Sequence, residues 1–98
     1  LFSALGIYNG EKFFPGYTIS IDEVKVNGEV RELSGKEYTC SDDGNCTRVN
    51  LCNQWVTSIP DDCRHADGDK SGLSATVLSV KDNEILSTLE ITFTYSAP

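Results

Sequence analysis

The chain has 98 residues, of which 39% are hydrophobic, 9% aromatic and 23% charged, a composition that fits one globular domain over 1–98 rather than two. Eight Lys and Arg against fifteen Asp and Glu give a net charge of −7, which repels phosphate backbones and anionic lipid surfaces and argues against nucleic-acid and membrane partners. No tract approaches the run of about 18 apolar residues that crosses a bilayer.

Gly, Pro, Asn and Asp punctuate the chain at short intervals, and the runs between them are rich in Ile, Val, Thr, Tyr and Phe with period-two alternation, which predicts an all-β fold. Phe2 to Tyr8 reads as an opening strand. Tyr17 to Val26 is a strand whose inward phase changes, with Ile19 and Ile21 in one register and Val24 and Val26 in the next, so a β-bulge is expected near Asp22-Glu23. Asn27-Gly28 makes a tight turn into Glu29 to Leu33, and Ser34-Gly35 turns again. Glu37 to Cys40 then leads to the Asp42-Asp43-Gly44 turn. Cys46 to Cys52, Leu73 to Val80 and a short Ile85-Leu86 segment follow as strands. Thr88 to Tyr95 is the clearest strand, with Leu89, Ile91, Phe93 and Tyr95 on one face and Thr88, Glu90, Thr92 and Thr94 on the other. No segment carries a helical period with caps.

A chain this small buries about 60–65% of its unfolded surface, so covalent staples matter, and there are four cysteines to supply them. An even count in a short acidic chain favours secretion and disulfides over cytosolic thiols. The chain begins at Leu1 and contains no Met, so a leader or an upstream piece is expected to have been removed. Cys40, Cys46, Cys52 and Cys63 lack the tight paired spacing of a zinc knuckle. Three disulfide pairings are open. A three-residue turn at Asp42, Asp43 and Gly44 would set Cys40 opposite Cys46 and leave Cys52 to close onto Cys63, which is the most local arrangement. Joining Cys46 to Cys52 is the poorest, because they lie about 20 Å apart on one strand. In that strand Cys46, Arg48, Asn50 and Cys52 share the face expected to be polar, opposite Thr47, Val49 and Leu51.

The segment from Asn53 to Gly72 breaks the β rhythm and carries the only Trp and the only His. Loops of this length in small domains are functional or disordered, and Cys63 within it argues against disorder. Asn53, Gln54 and Trp55 set two amides beside an indole. Sugar hydroxyls take bidentate amide partners while the C–H face of a pyranose packs on an aromatic plane; the competing assignment is a core Trp with turn-forming amides. Tyr8 and Asn9 form a second aromatic–amide pair, and Arg64 and His65 add donors. Phe13-Phe14-Pro15 reads as a plug at one end of the fold rather than an exposed patch.

The acidic clusters Asp42-Asp43, Asp61-Asp62 and Asp67-Gly68-Asp69 raise the question of a structural Ca2+, but none has the ligand spacing of a helical-hand loop, so no cofactor or metal ligand is assigned. Asn45-Cys46-Thr47 matches a glycosylation sequon that a disulfide at Cys46 would disfavour. There is no nucleophile elbow, phosphate cradle or His with a triad partner, so the chain is not expected to be an enzyme.

Glu37-Tyr-Thr-Cys-Ser-Asp-Asp-Gly44, Thr47-Arg-Val-Asn-Leu-Cys-Asn-Gln-Trp55 and Asp61-Asp-Cys-Arg-His-Ala-Asp-Gly-Asp69 resemble the C-terminal part of β-sandwich carbohydrate-binding modules of secreted plant-cell-wall glycoside hydrolases, of the rumen and gut clostridial type. The Ile19 to Gly28 strand and turn and the closing Thr88 to Tyr95 strand are similar to these modules too. The resemblance implies an antiparallel, jelly-roll-like β-sandwich within a larger secreted enzyme. It implies a non-catalytic module that holds a glycoside hydrolase against a polysaccharide such as β-glucan, xyloglucan or glucomannan. The sugar contacts would fall on Trp55, Asn53, Gln54, Tyr8, Asn9 and Arg64. Two departures stand out: the four cysteines are foreign to the family pattern, and Phe2 to Tyr8 reads as a middle strand of that pattern, so one or two earlier strands are expected to be missing or supplied by another chain. The rival is a secreted, disulfide-stapled protein-interaction domain, such as an effector, toxin subunit or inhibitor, that docks through the 53–69 loop. It requires an apolar patch that includes Phe13 and Phe14. A structural spacer would instead bury Trp55.

Overall fold

The computed structural model describes residues 2–42, 44–84 and 87–98. Eight elements follow in order: β1 (Phe2–Ile7), α1 (Gly10–Phe13), β2 (Thr18–Val26), β3 (Glu29–Val30), β4 (Thr39–Asp42), β5 (Cys46–Asn53), α2 (Val80–Glu84) and β6 (Leu89–Ser96). The strands form two three-stranded antiparallel sheets, ordered β1-β5-β4 and β3-β2-β6, and the chain is all-β in class, as its alternation predicts.

The β2–β6 pairing carries a register shift between Ile21 and Glu23. That is the bulge the sequence calls for, and it lets Ile19, Val24 and Val26 all be buried although a straight strand would turn them to opposite faces. Asn27 and Gly28 take φ of 53° and 82°, the left-handed pair that a two-residue hairpin between β2 and β3 demands. Core formation draws on both sheets: Val24 and Val26 of β2 and Leu51 of β5 pack with Val77 and Leu78, and Ile21, Leu33, Leu89 and Ile91 close around them. Each such side chain contributes about 1.5–3 kcal/mol when fully buried.

Several expectations are corrected. The Leu73 to Val80 segment is not a strand: the Leu51 carbonyl accepts from both Val77 N and Leu78 N, at 2.9 Å each, so the chain turns there instead of laddering, and Val80 begins the short helix α2. That helix and α1 are too short to show a period in sequence. Ile85-Leu86 lies outside the described residues. Phe2–Ile7 forms an edge strand, its apolar residues spread over half-buried Ala4, Leu5 and Ile7. The face of β5 expected to be wet is covered at its end, where Asn50 and Cys52 are buried, because Tyr38, Cys40, Cys63 and Ala75 form a second apolar cluster with Val56 and Leu73. Finally, β4 pairs with β5 so that Asp42 faces Cys46 and Cys40 faces Arg48. Cys40 is therefore not opposite Cys46.

The two sheets are stitched where strand ladders stop. Ile19 N donates to Thr39 Oγ1 at 2.8 Å and Ile21 N to Glu37 Oε1 at 3.1 Å, so these N–H groups of β2 are satisfied by side chains. Gly10 is buried against β5, where a Cβ would come within 2.8 Å of Thr47 Cβ.

Candidate functional site

The candidate site is built at the Asn53 end of β5. Asn53 pairs with Phe2 across the β1–β5 ladder, and its amide organises the turn that follows. Its Oδ1 accepts from Trp55 N at 3.0 Å, its Nδ2 donates to Asn50 Oδ1 at 3.3 Å, and its backbone N donates to Ala75 O at 2.9 Å. An Asx turn of this kind throws the next side chains outward. Trp55 is accordingly 72% exposed, and Gln54 beside it is exposed as well. The indole has one aromatic neighbour among the described residues, Phe2, with ring centroids 6.4 Å apart and planes tilted by 53°.

The residues on either side of Trp55 in the chain, Gln54 and Val56, line a groove of about 480 Å³. It is lined by apolar Val56, Ile59, Leu73 and Ala75 and by the polar residues Asn53, Gln54, Thr57, Ser58, Ser74 and Thr76. A second groove of about 380 Å³ shares Ile59 and Leu73 with the first and extends past Pro60, Asp61, Cys63, Lys70 and Gly72. A trough with apolar walls and many hydroxyls suits a long uncharged ligand with polar edges and apolar faces.

The rest of the 53–72 loop is held by charge and by Asx turns. Lys36 Nζ lies 2.9 Å from Asp67 Oδ2 and 3.8 Å from Asp69 Oδ2, and His65 sits between Glu37 and Asp67. Asp69 N donates to Asp67 Oδ1 and Ser71 N to Asp69 Oδ1. The hydrogen bond from Asp69 N, then that from Lys36, lowers the Asp67 carboxyl to about 2. Asp69 is lowered too, first by Ser71 N and then by the Ser71 hydroxyl. These carboxylates are occupied by protein donors. Among the described residues, no three His, Cys, Asp or Glu side chains are grouped to hold a metal ion.

The other residues singled out in the sequence lie elsewhere. Tyr8 is 83% exposed, but it follows Ile7, which pairs with Thr47 at the opposite end of the ladder from Phe2, about 20 Å away. Asn9 takes a left-handed φ of 58° before α1, and its Oδ1 accepts from Asn45 Nδ2 at 2.8 Å. Arg64 is a clamp: Nε donates to Tyr17 O at 2.9 Å and Nη2 to Glu11 Oε2 at 2.8 Å. Burial pushes Glu11 upward, but the Thr47 hydroxyl and Arg64 outweigh it and hold the carboxyl below its ordinary value. Phe14 packs on Tyr17 and Tyr95 at 5.3 and 6.0 Å, but it is 47% exposed and Phe13 63%, so the Phe13-Phe14-Pro15 segment is an exposed patch and not the buried plug expected of it. Phe2 and the 73–76 segment join the site without having been legible as parts of it. The only signal was the aromatic at the strand start.

Neither a family model, nor a curated protein, nor a solved structure matches this chain.

Proposed function

We propose that this domain is a non-catalytic polysaccharide-binding module with a jelly-roll-like β-sandwich fold, secreted as part of a larger glycoside hydrolase that it holds on plant cell-wall substrate. The observation that carries the reading is the exposed Trp55, whose chain neighbours Gln54 and Val56 line a hydroxyl-bearing trough. Its plane stacks on the C–H face of a pyranose, Phe2 extends that apolar surface, and Gln54, Thr57 and Ser58 supply edges for sugar hydroxyls. Asn53 serves the site by orienting Trp55 rather than by touching sugar. β-Glucan, xyloglucan and glucomannan are the favoured ligands, because a net charge of −7 disfavours acidic polymers.

Docking of a protein through the same loop would call for an apolar surface continuous with Phe13 and Phe14. Those rings lie at the C-terminal end of α1, which packs by Gly10 on Thr47, the far end of β5 from Trp55. A spacer role fits poorly with an indole left 72% exposed.

Affinity gel electrophoresis through β-glucan, xyloglucan, glucomannan, xylan and pectin tests the proposal. Retardation on a neutral glucan or mannan gel, lost in Trp55→Ala with an unchanged circular dichroism spectrum, is the expected result. Free migration on every gel overturns it.

A further inference from the structure

We infer that Cys40 and Cys63 form the single disulfide of this chain, and that Cys46 and Cys52 stay as thiols. All four stand in this structure as thiols, so the inference concerns which pair the fold sets up for oxidation. Thr39 N donates to Arg64 O and Arg64 N to Thr39 O, both at 2.8 Å, making Thr39 and Arg64 a hydrogen-bonded antiparallel pair. One step further along, Cys40 faces Cys63 at a non-hydrogen-bonded position. There Cα atoms lie about 4.5 Å apart and both side chains leave on the same face, within the separation that disulfides span, roughly 4.4–6.8 Å. The next step is pinned as well, since Ser41 N and Ser41 Oγ both donate to Asp62 Oδ2 at 2.7 Å. The two cysteines are 1% and 5% exposed and share one apolar cluster.

The other pairings fail on the same register. Cys46 faces Asp42 and Cys40 faces Arg48, so these two cysteines are offset by two residues as well as one strand spacing, or about 8 Å, beyond the limit of about 7 Å for a bridge. Cys52 lies four residues along β5 from Arg48, about 13 Å from the level of Cys40 and its neighbour Cys63. It faces Ser3 on one side and Thr76 on the other, and burial pushes its thiol up. Cys46 faces β1, its Sγ being 3.2 Å from where a Cβ on Gly6 would stand. About 20 Å of strand separates it from Cys52.

With glutathione disulfide as oxidant, one thiolate of the pair attacks a glutathione sulfur and expels a glutathione thiolate. The second thiolate then attacks the protein sulfur of the mixed disulfide and expels the other glutathione. One S–S bond breaks, one forms, two electrons pass to glutathione, and its two thiols take the two protons. The bond joins β4 to the loop that carries Trp55 and borders the second groove, where Cys63 is a lining residue.

The full chain is incubated with glutathione disulfide, then denatured, alkylated with iodoacetamide without reduction, and cleaved N-terminal to Asp. Cleavage at Asp42 and Asp62 separates Cys40 and Cys63 from the segment that holds the other two cysteines. The expected product is a Cys40 peptide linked to a Cys63 peptide, with Cys46 and Cys52 both alkylated. Four alkylated cysteines, a lasting glutathione adduct on Cys40 or Cys63, or any other linkage overturns the inference. The Cys46→Ser, Cys52→Ser double variant, which keeps both proposed partners, is expected to form the same link.

Discussion

The rings of Phe2 and Trp55 stand 6.4 Å apart because Phe2 is the β1 partner of Asn53, and the Asn53 amide in turn holds the Trp55 backbone N at 3.0 Å. The platform is therefore assembled from residues about fifty positions apart, and each can be tested separately. Trp55→Ala is expected to weaken polysaccharide binding at least tenfold, whereas Phe2→Ala, which removes only the extension, costs a few fold. Isothermal titration against a soluble β-glucan oligosaccharide measures both. Equal losses would mean that the two rings act as one surface.

Arg64 was a candidate sugar contact in sequence, but its guanidinium is engaged with Tyr17 O and Glu11. Arg64→Met is expected to destabilise the fold by about 1–3 kcal/mol, by releasing partly buried acceptors, while affinity for polysaccharide is unchanged in the folded fraction. Urea unfolding and gel retardation on the same samples check both halves. Lost affinity with intact stability would return Arg64 to the ligand.

Gly10→Ala places a methyl against Thr47, within 2.8 Å of its Cβ. Since α1 cannot shift without disturbing the Glu11–Arg64 pair, the expected cost is about 1–3 kcal/mol. The readout is the urea midpoint. No change in midpoint would show that α1 can slide.

Acid is expected to loosen the 65–71 turn region. The folded Asp67 carboxyl is lowered to about 2 from an ordinary 3.8, so the stabilisation it provides is complete above about pH 4 and fades as the pH falls toward 2. Thermal midpoints between pH 5 and pH 2 are expected to fall less steeply in Asp67→Asn, which starts lower and has less to lose. Parallel curves would remove Asp67 from the acid response.

Thr39 tests the stitch between the sheets. Thr39→Val keeps the shape but leaves Ile19 N without its 2.8 Å acceptor, and the expected cost is about 1–3 kcal/mol. Faster amide exchange at Ile19 is the accompanying signature.

The strands and turns were legible wherever local rules decide them. Alternation in Thr88 to Tyr95, the phase change in Tyr17 to Val26 and the left-handed demand of Asn27-Gly28 are fixed by period-two geometry and by glycine's freedom at positive φ, and each appears in the fold, although the burial alternation of the last strand breaks at Phe93, which is exposed. Local rules also located the exposed Trp55, through a loop that breaks the strand rhythm. What they could not decide was which strands become neighbours. Register between β4 and β5 moved Cys40 away from Cys46, the 62–64 segment came to lie along β4 opposite Cys40, and Arg64 turned inward to Glu11 and Tyr17. Those outcomes depend on contacts between residues far apart in sequence, whose energies come from shared burial and paired hydrogen bonds rather than from any local preference. The sequence thus determined the class of structure and singled out the loop that carries the exposed Trp55, while tertiary packing alone decided which side chains stand beside that residue and which are consumed in holding the fold.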